Sequence, residues 1–199
     1  MRPAPKVVLA VLTALCLAVP SRAQINEYAY PDMYLQYVPA VADLGLGLAG
    51  VRSEHVFWDR VIAGGIGFAS EIILVNSVKA LVHEMRPDGS SPNSFPSGHT
   101  ATAFLGAELV RHEYGWGWGA GAYAVAASVA VLRVVHQRHW WWDTLAGAGA
   151  GILCANIGYW LLEPAKDLLG IRTTAGQMGF CPTVDPYSGA LCASFSLHF

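Results

Sequence analysis

Three short stretches of this 199-residue chain carry side chains able to handle a phosphate group. The first is Lys79 and Arg86, seven residues apart. On one continuous helix that separation is nearly two turns, which puts both cations on one face roughly 10 Å apart. Arginine offers a planar fork of donors and lysine a compact charge, so the two can share one anion. Two cations snorkelling to a membrane surface would produce the same spacing. The second stretch is Pro96-Ser97-Gly98-His99 at a loop-to-helix junction. Ser97 can cap the helix, and the free N–H groups of Gly98 and His99 can bind an anion that glycine lets come close. His99 then stands where it could protonate a leaving oxygen; a plain capped helix start with a surface histidine is the simpler reading. The third stretch is Arg133, His139 and Asp143. A four-residue step lets a carboxylate hold one imidazole N–H, on a helical face or across a helix entry, and frees the other nitrogen for attack. Trp140-Trp141-Trp142 beside them also suits a membrane boundary.

The elements that must position these residues are helices. Four are expected: A over about 58–85, ending before Pro87; B over about 97–112; C from about 115 to 136; and D from about 143 to 162, just before Pro164. The polar His136-Gln137-Arg138 lets the chain leave helix C before His139. If the four pack alternately up and down, the end of A, the start of B, the end of C and the start of D share one side. Lys79, Arg86, Ser97, His99, Arg133, His139 and Asp143 then converge there. Residues 24–57 read as a loop followed by a short helix near 40–50, with no chemistry assigned. The tail, 166–199, alternates Leu191, Ala193, Phe195, Leu197 and Phe199 with small or polar residues, the pattern of a strand, and a short β-hairpin is expected there. The fold class is thus an all-α bundle of four core helices, with an N-terminal extension and a C-terminal hairpin.

Composition narrows the setting. Hydrophobic residues make up 54% of the chain and charged residues only 13%, with a mean hydropathy of +0.38. That excludes a disordered chain and disfavours an ordinary water-facing surface. The uncharged runs 116–132 and 145–162 lie at the lower edge of membrane-spanning length, and the glycines and alanines of 147–151 suit close helix contact. A formal net charge of −2 argues against a nucleic-acid partner. Residues 1–23 resemble a secretory signal: Arg2 and Lys6, an apolar run of 13 residues from Val7, then Ser21-Arg22-Ala23. Export makes Cys181 and Cys192, which flank a turn-rich stretch, candidates for a disulfide; Cys154 lies in an apolar run as a small buried residue. No zinc-type Cys/His spacing is present, so no metal or cofactor is indicated.

Taken together, Lys79 with six residues before Arg86-Pro87, then Pro96-Ser97-Gly98-His99, then Arg133 with five residues before His139 and three more before Asp143, resemble the type 2 phosphatidic acid phosphatase/haloperoxidase superfamily. The likeness covers about 58–162. Leu132 departs from it, standing where the family often has serine. The resemblance implies His139 as the nucleophile that becomes a phosphohistidine, Asp143 as its orienting carboxylate and His99 as the acid for the leaving group. Lys79, Arg86, Ser97, Gly98 and Arg133 become the phosphate-binding residues. It further implies a hydrolase for a lipid phosphate monoester or diphosphate, membrane-associated, with its active site on the periplasmic side and no cofactor. Rival readings are a soluble periplasmic acid phosphatase and a vanadate-dependent haloperoxidase of the same superfamily, or a non-catalytic membrane scaffold. No motif specifies an oligomer.

Overall fold

The computed structural model describes residues 31–170, and the backbone alone of 179–184 and 191–196. The signal-like segment 1–23 lies outside the described residues. Between 31 and 170 the chain is all helical, in seven helices: α1 (Asp32–Leu35), α2 (Val38–Leu48), α3 (Phe57–Leu81), α4 (Gly98–Tyr114), α5 (Trp116–Val135), α6 (Trp141–Trp160) and α7 (Leu162–Leu169).

Helix α4 is the axis of the bundle. It packs chiefly against α5 and α6, takes α2 across its middle, and is buried on nearly every side. Such a helix must be built from small or apolar side chains. One cluster joins Ala103, Ala107 and Val110 to Ala122, Ala126 and Val129 of α5; another joins Leu105 and Leu109 to Cys154 and Ala155 of α6. The bulky residues face outward instead: Ile72, Ile73, Leu81, Val131, Leu145 and Trp160 are each more than half exposed. Small residues inside with large aliphatics outside is the arrangement of helices that pack in hydrocarbon, where close backbone approach holds the bundle together. Helices α3 and α5 are long and apolar enough to cross a membrane. Helices α6 and α7, bent by 47° at their junction, make a third such unit if taken as one broken span.

The glycine-rich start of α6 shows how close this approach is. A Cβ at Gly147 would collide with the carbonyl oxygen of Ser97, and one at Gly151 with the carbonyl of Ala101. Gly149, between them, faces open space. The Gly147/Gly151 pair is therefore a groove for α4, and it reaches the Ser97 motif directly. Gly151→Ala is expected to destabilise the folded chain by about 1–3 kcal/mol, whereas Gly149→Ala should be neutral or stabilising by up to about 1 kcal/mol. Thermal unfolding of the two variants in detergent, followed by circular dichroism, compares them.

Several sequence expectations are corrected. Helix A stops at Leu81 rather than near Met85. Val82 is extended (φ −108°, ψ 110°), and the strand-like stretch after it pairs with the following loop: Ser94 N–H donates to Glu84 O (2.9 Å) and Arg86 N–H to Ser91 O (3.0 Å). Lys79 and Arg86 consequently do not share a helical face. The short helix of the N-terminal extension begins at Val38, and α1 precedes it. Helix D starts at Trp141, leaving His139 before the helix. Pro164 does not end the helical run: sitting in the first turn of α7, where its missing N–H costs nothing, it accompanies a bend. Lys166 then ties α7 back to α3 through Asp59 Oδ2 (3.2 Å).

The end of the bundle away from the phosphate-type motifs is closed by buried polar pairs. Arg60 meets Asp43 at 3.3 Å, and Glu113 accepts from the His55 backbone N–H (2.9 Å) and from Tyr159 Oη (2.7 Å). Glu108 accepts both a bidentate Arg111 fork (2.6 and 2.7 Å) and the Tyr123 hydroxyl.

Candidate active site

The alternation of α3, α4, α5 and α6 brings their end, start, end and start to one side. Asp143 is the hub. It is fully buried, three residues into α6, and its Oδ2 accepts from the Trp140 backbone N–H (2.9 Å) and from the Ser94 hydroxyl. Its own carbonyl accepts from the Ser97 N–H (3.0 Å), so one residue holds the entry to α6, the loop before α4 and the first turn of α4. His139 Nδ1 lies 3.5 Å from the same Oδ2, within ion-pair range but longer than a hydrogen bond. Nδ1 is thus the ring nitrogen on the carboxylate side.

The backbone turn that delivers His139 explains the six-residue gap from Arg133. After α5 ends, Gln137 takes a left-handed conformation (φ 55°), and the N–H groups of Arg138 and His139 both return to the Arg133 carbonyl (3.0 and 3.3 Å). Arg133 and His139 are thereby locked together, and both are buried. Lys79, in the last turn of α3, reaches across to donate to the Asn93 carbonyl (2.7 Å). Ser97 precedes the first residue of α4, but its hydroxyl does not cap the helix. It is buried and accepts from Thr100 Oγ1 (3.0 Å). Gly98 is not demanded by packing, since a Cβ there would meet Val75 Cγ1 at an ordinary 3.7 Å.

The electrostatics follow from three cations crowding two imidazoles. Burial, then the charges of Arg133, Lys79 and Arg86, lowers His139 to about 3, against a hydrogen bond to the Ser94 carbonyl that pulls the other way. Burial and then Arg133 lower His99 to about 4, with Arg86 and Lys79 adding to it and Asp32 opposing. Both imidazoles are neutral near pH 7, and the surplus of positive charge suits a dianionic group. Among the described residues no cluster of His, Cys, Asp and Glu is arranged to hold a metal ion.

Three participants carried no sequence signal. Ser94, fully buried, sits in a loop of turn residues and is indistinguishable there from Ser90 or Ser91. Asp32 and Met33, in the extension to which no chemistry was assigned, reach Arg133 and His99. The tryptophans divide their work. Trp140 and Trp142 stack (5.1 Å between rings) and donate their N–H groups to the stretch after α3, to Met85 O (3.0 Å) and Glu84 Oε1 (2.9 Å), while Trp141 is 60% exposed.

Comparison with known proteins places the chain in a family. The lipid A 1-phosphatase of Porphyromonas gingivalis is 38% identical over 137 residues, which is 66% of this chain and 31% of that protein. The chain thus spans about a third of the length of the curated relative it matches. The crystal structure of Aquifex aeolicus LpxE shares the fold with a TM-score of 0.52 at 22% identity, over 74% of this chain and 93% of that one. The family model of the PAP2 superfamily matches residues 60–167, more than half of the chain and all three of its motifs, and the chain belongs to that superfamily.

Proposed function

We propose that this chain hydrolyses a lipid phosphate monoester or diphosphate through a phosphohistidine on His139. The carrying observation is the burial of His139, Asp143 and Arg133 together at one end of a bundle whose outer surface is apolar. His139 Nε2 attacks phosphorus as the bond to the leaving oxygen breaks, and His99 gives that oxygen its proton. Water then attacks the phosphohistidine, His99 takes the water's proton, and inorganic phosphate leaves. Lys79, Arg86 and Arg133, with Ser97 and the Gly98 N–H, hold the three equatorial oxygens. Phosphoryl transfer depends mainly on such positioning and charge stabilisation. An amphiphile fits the setting, its head in the cationic site and its tail along the apolar exterior. The relative's name makes the 1-phosphate of lipid A the first substrate to try, followed by undecaprenyl diphosphate and phosphatidic acid. The leader-like residues 1–23 support export and a periplasmic active site.

The test is release of inorganic phosphate by the purified full chain from these three lipids in mixed micelles, with orthovanadate as inhibitor. Release that vanadate suppresses is expected. No release from any of them, or bromide oxidation by peroxide once vanadate is added, overturns the reading.

The two low imidazole values set the pH dependence. In the free enzyme His139 keeps its lone pair above about pH 3, while His99 loses its proton as pH rises through about 4. On these values protonated His99 becomes scarcer as the substrate's phosphate dianion, with a second pKa of about 6, becomes commoner, so kcat/KM should be level from pH 5 to about 6 and fall between about pH 7 and 8. A bound phosphate dianion stabilises the protonated imidazole, so the limb in kcat should lie at higher pH than that in kcat/KM. Initial rates between pH 4 and 9 provide both; a kcat/KM that climbs through this range contradicts the assignment.

For the tail, the proposal is a hairpin that pairs Gly179–Val184 with Leu191–Ser196. Its support is an antiparallel register with Phe180 opposite Phe195. Cys181 then stands opposite Ser194 and Cys192 opposite Thr183. Cys181 and Cys192 are offset by two in that register, about 7–8 Å apart and beyond ordinary disulfide reach, so thiol counting under denaturing conditions should find both free; a closed Cys181–Cys192 bond would overturn the register.

A further inference from the structure

The N-terminal helix α1 reaches the phosphate-type site from outside the family-matched segment. Asp32, its first residue, is fully buried. Its Oδ2 accepts from Arg133 Nη1 at 2.8 Å, across 101 residues of sequence, and its Oδ1 lies 3.2 Å from His136 Nδ1. The next residue, Met33, places its sulfur 3.0 Å from His99 Nε2. Helix α1 is itself held: Gln36 Nε2 donates to the Met33 carbonyl (2.8 Å), and Leu35 packs on the core that α4 and α5 share. A buried carboxylate facing an arginine can do one of two things. It can fix the guanidinium for the substrate, or it can occupy the place of the phosphate and compete with it.

The placement of Asp32 separates the two. The carboxylate takes Nη1 of Arg133, while Nε of the same guanidinium is buried with no hydrogen-bond partner among the described residues, so a donor of Arg133 is left for a phosphate. Both of its partners lie at the C-terminal end of α5. The charge acts on His99, whereas the leading charges on His139 are those of Arg133, Lys79 and Arg86. A guanidinium is planar with five donors, so holding Nη1 orients the remaining donors.

We infer that Asp32 is a positioning residue, which fixes the Arg133 guanidinium for the phosphoryl group in the transition state. The inference rests on the phosphatase reading above and adds the N-terminal extension to the working site. Carboxylates that orient a ligand-holding side chain typically matter by ten- to a hundredfold, and small misplacement of a charge-stabilising group has effects of that order. Because the benefit falls in the transition state, it should appear in kcat and in the binding of a transition-state mimic more than in KM.

The experiment uses the full chain in detergent, with Asp32→Asn and Asp32→Glu compared against the unaltered protein. Readouts are kcat and KM on phosphatidic acid in mixed micelles, orthovanadate binding by calorimetry, and thermal unfolding. Asp32→Asn is expected to lower kcat about ten- to a hundredfold and to weaken vanadate binding about tenfold, with KM within about threefold. Asp32→Glu should recover part of both. Unchanged kcat and vanadate binding overturn the inference. Tighter vanadate binding with a faster rate overturns it too, and identifies the carboxylate as a competitor of phosphate. Loss of folding in both variants, with no rescue by glutamate, assigns Asp32 a purely structural part and overturns it as well. If the unaltered chain neither releases phosphate nor binds vanadate, the failure belongs to the phosphatase reading itself.

Discussion

His139→Ala is expected to lower kcat by at least about a thousandfold while the chain still folds. Removing a nucleophile leaves only what bound cations and donors provide without it. The side chain is buried, so truncation also leaves a cavity, with an expected stability loss of about 1–3 kcal/mol. Rate alone does not prove a covalent role, and trapping does. Acid-stopped reactions tend to destroy a phosphohistidine and alkaline stops tend to preserve it, so labelled phosphate should stay on the unaltered protein in alkali and be absent from His139→Ala. His99→Ala offers the complementary result. With p-nitrophenyl phosphate, whose leaving group needs no proton, attack by His139 should persist while water goes unactivated, and labelled protein should accumulate. Substantial turnover by His139→Ala removes it from the nucleophile's place.

Asp143→Asn should be the second most damaging change, for a reason that differs from the first. Oδ2 accepts from a helix-entry N–H and the Ser94 hydroxyl and faces His139. An amide of the same shape can keep one or two of these as an acceptor, but it loses the negative charge that stabilises an imidazole becoming positive as it attacks. The expected result is a fall in kcat of about a hundred- to ten-thousandfold, comparable with loss of the orienting carboxylate elsewhere. Stability should drop by only about 1–3 kcal/mol, because the buried hydrogen bonds are weakened rather than removed. Steady-state kinetics with parallel denaturant titration separates the two effects. A kcat within tenfold of the unaltered protein would show that His139 does not depend on this carboxylate.

What the sequence made legible follows from what phosphate chemistry requires. A dianion calls for cations, a nucleophile and a proton donor, and the rare residue types Lys79, Arg86, Arg133, His99 and His139 stand out in a chain with so few charges. Helical periodicity placed their elements at a common end. Contacts made over long sequence separations left no such trace. Ser94 to Asp143 spans 49 residues, Met33 to His99 66, and Asp32 to Arg133 101, and each involves a residue type common in turns or apolar runs. The early end of α3 was hidden for another reason. Residues from Val82 to Met85 suit a helix by composition, and Pro87 restricts only its immediate predecessor. Backbone pairing of Glu84 and Arg86 with the loop that carries Ser91 and Ser94 prevails over that local preference.

The outward-facing Trp141 lies two residues along from His139, so under the proposed function it would set the depth of the reaction. Indole rings settle at the boundary between headgroups and acyl chains. A reaction centre at that level meets substrate that diffuses in two dimensions, so its rate should follow the mole fraction of lipid phosphate in the surface rather than its bulk molarity. Diluting the substrate with inert detergent or neutral lipid at constant total substrate should then slow turnover, although no inhibitor has been added.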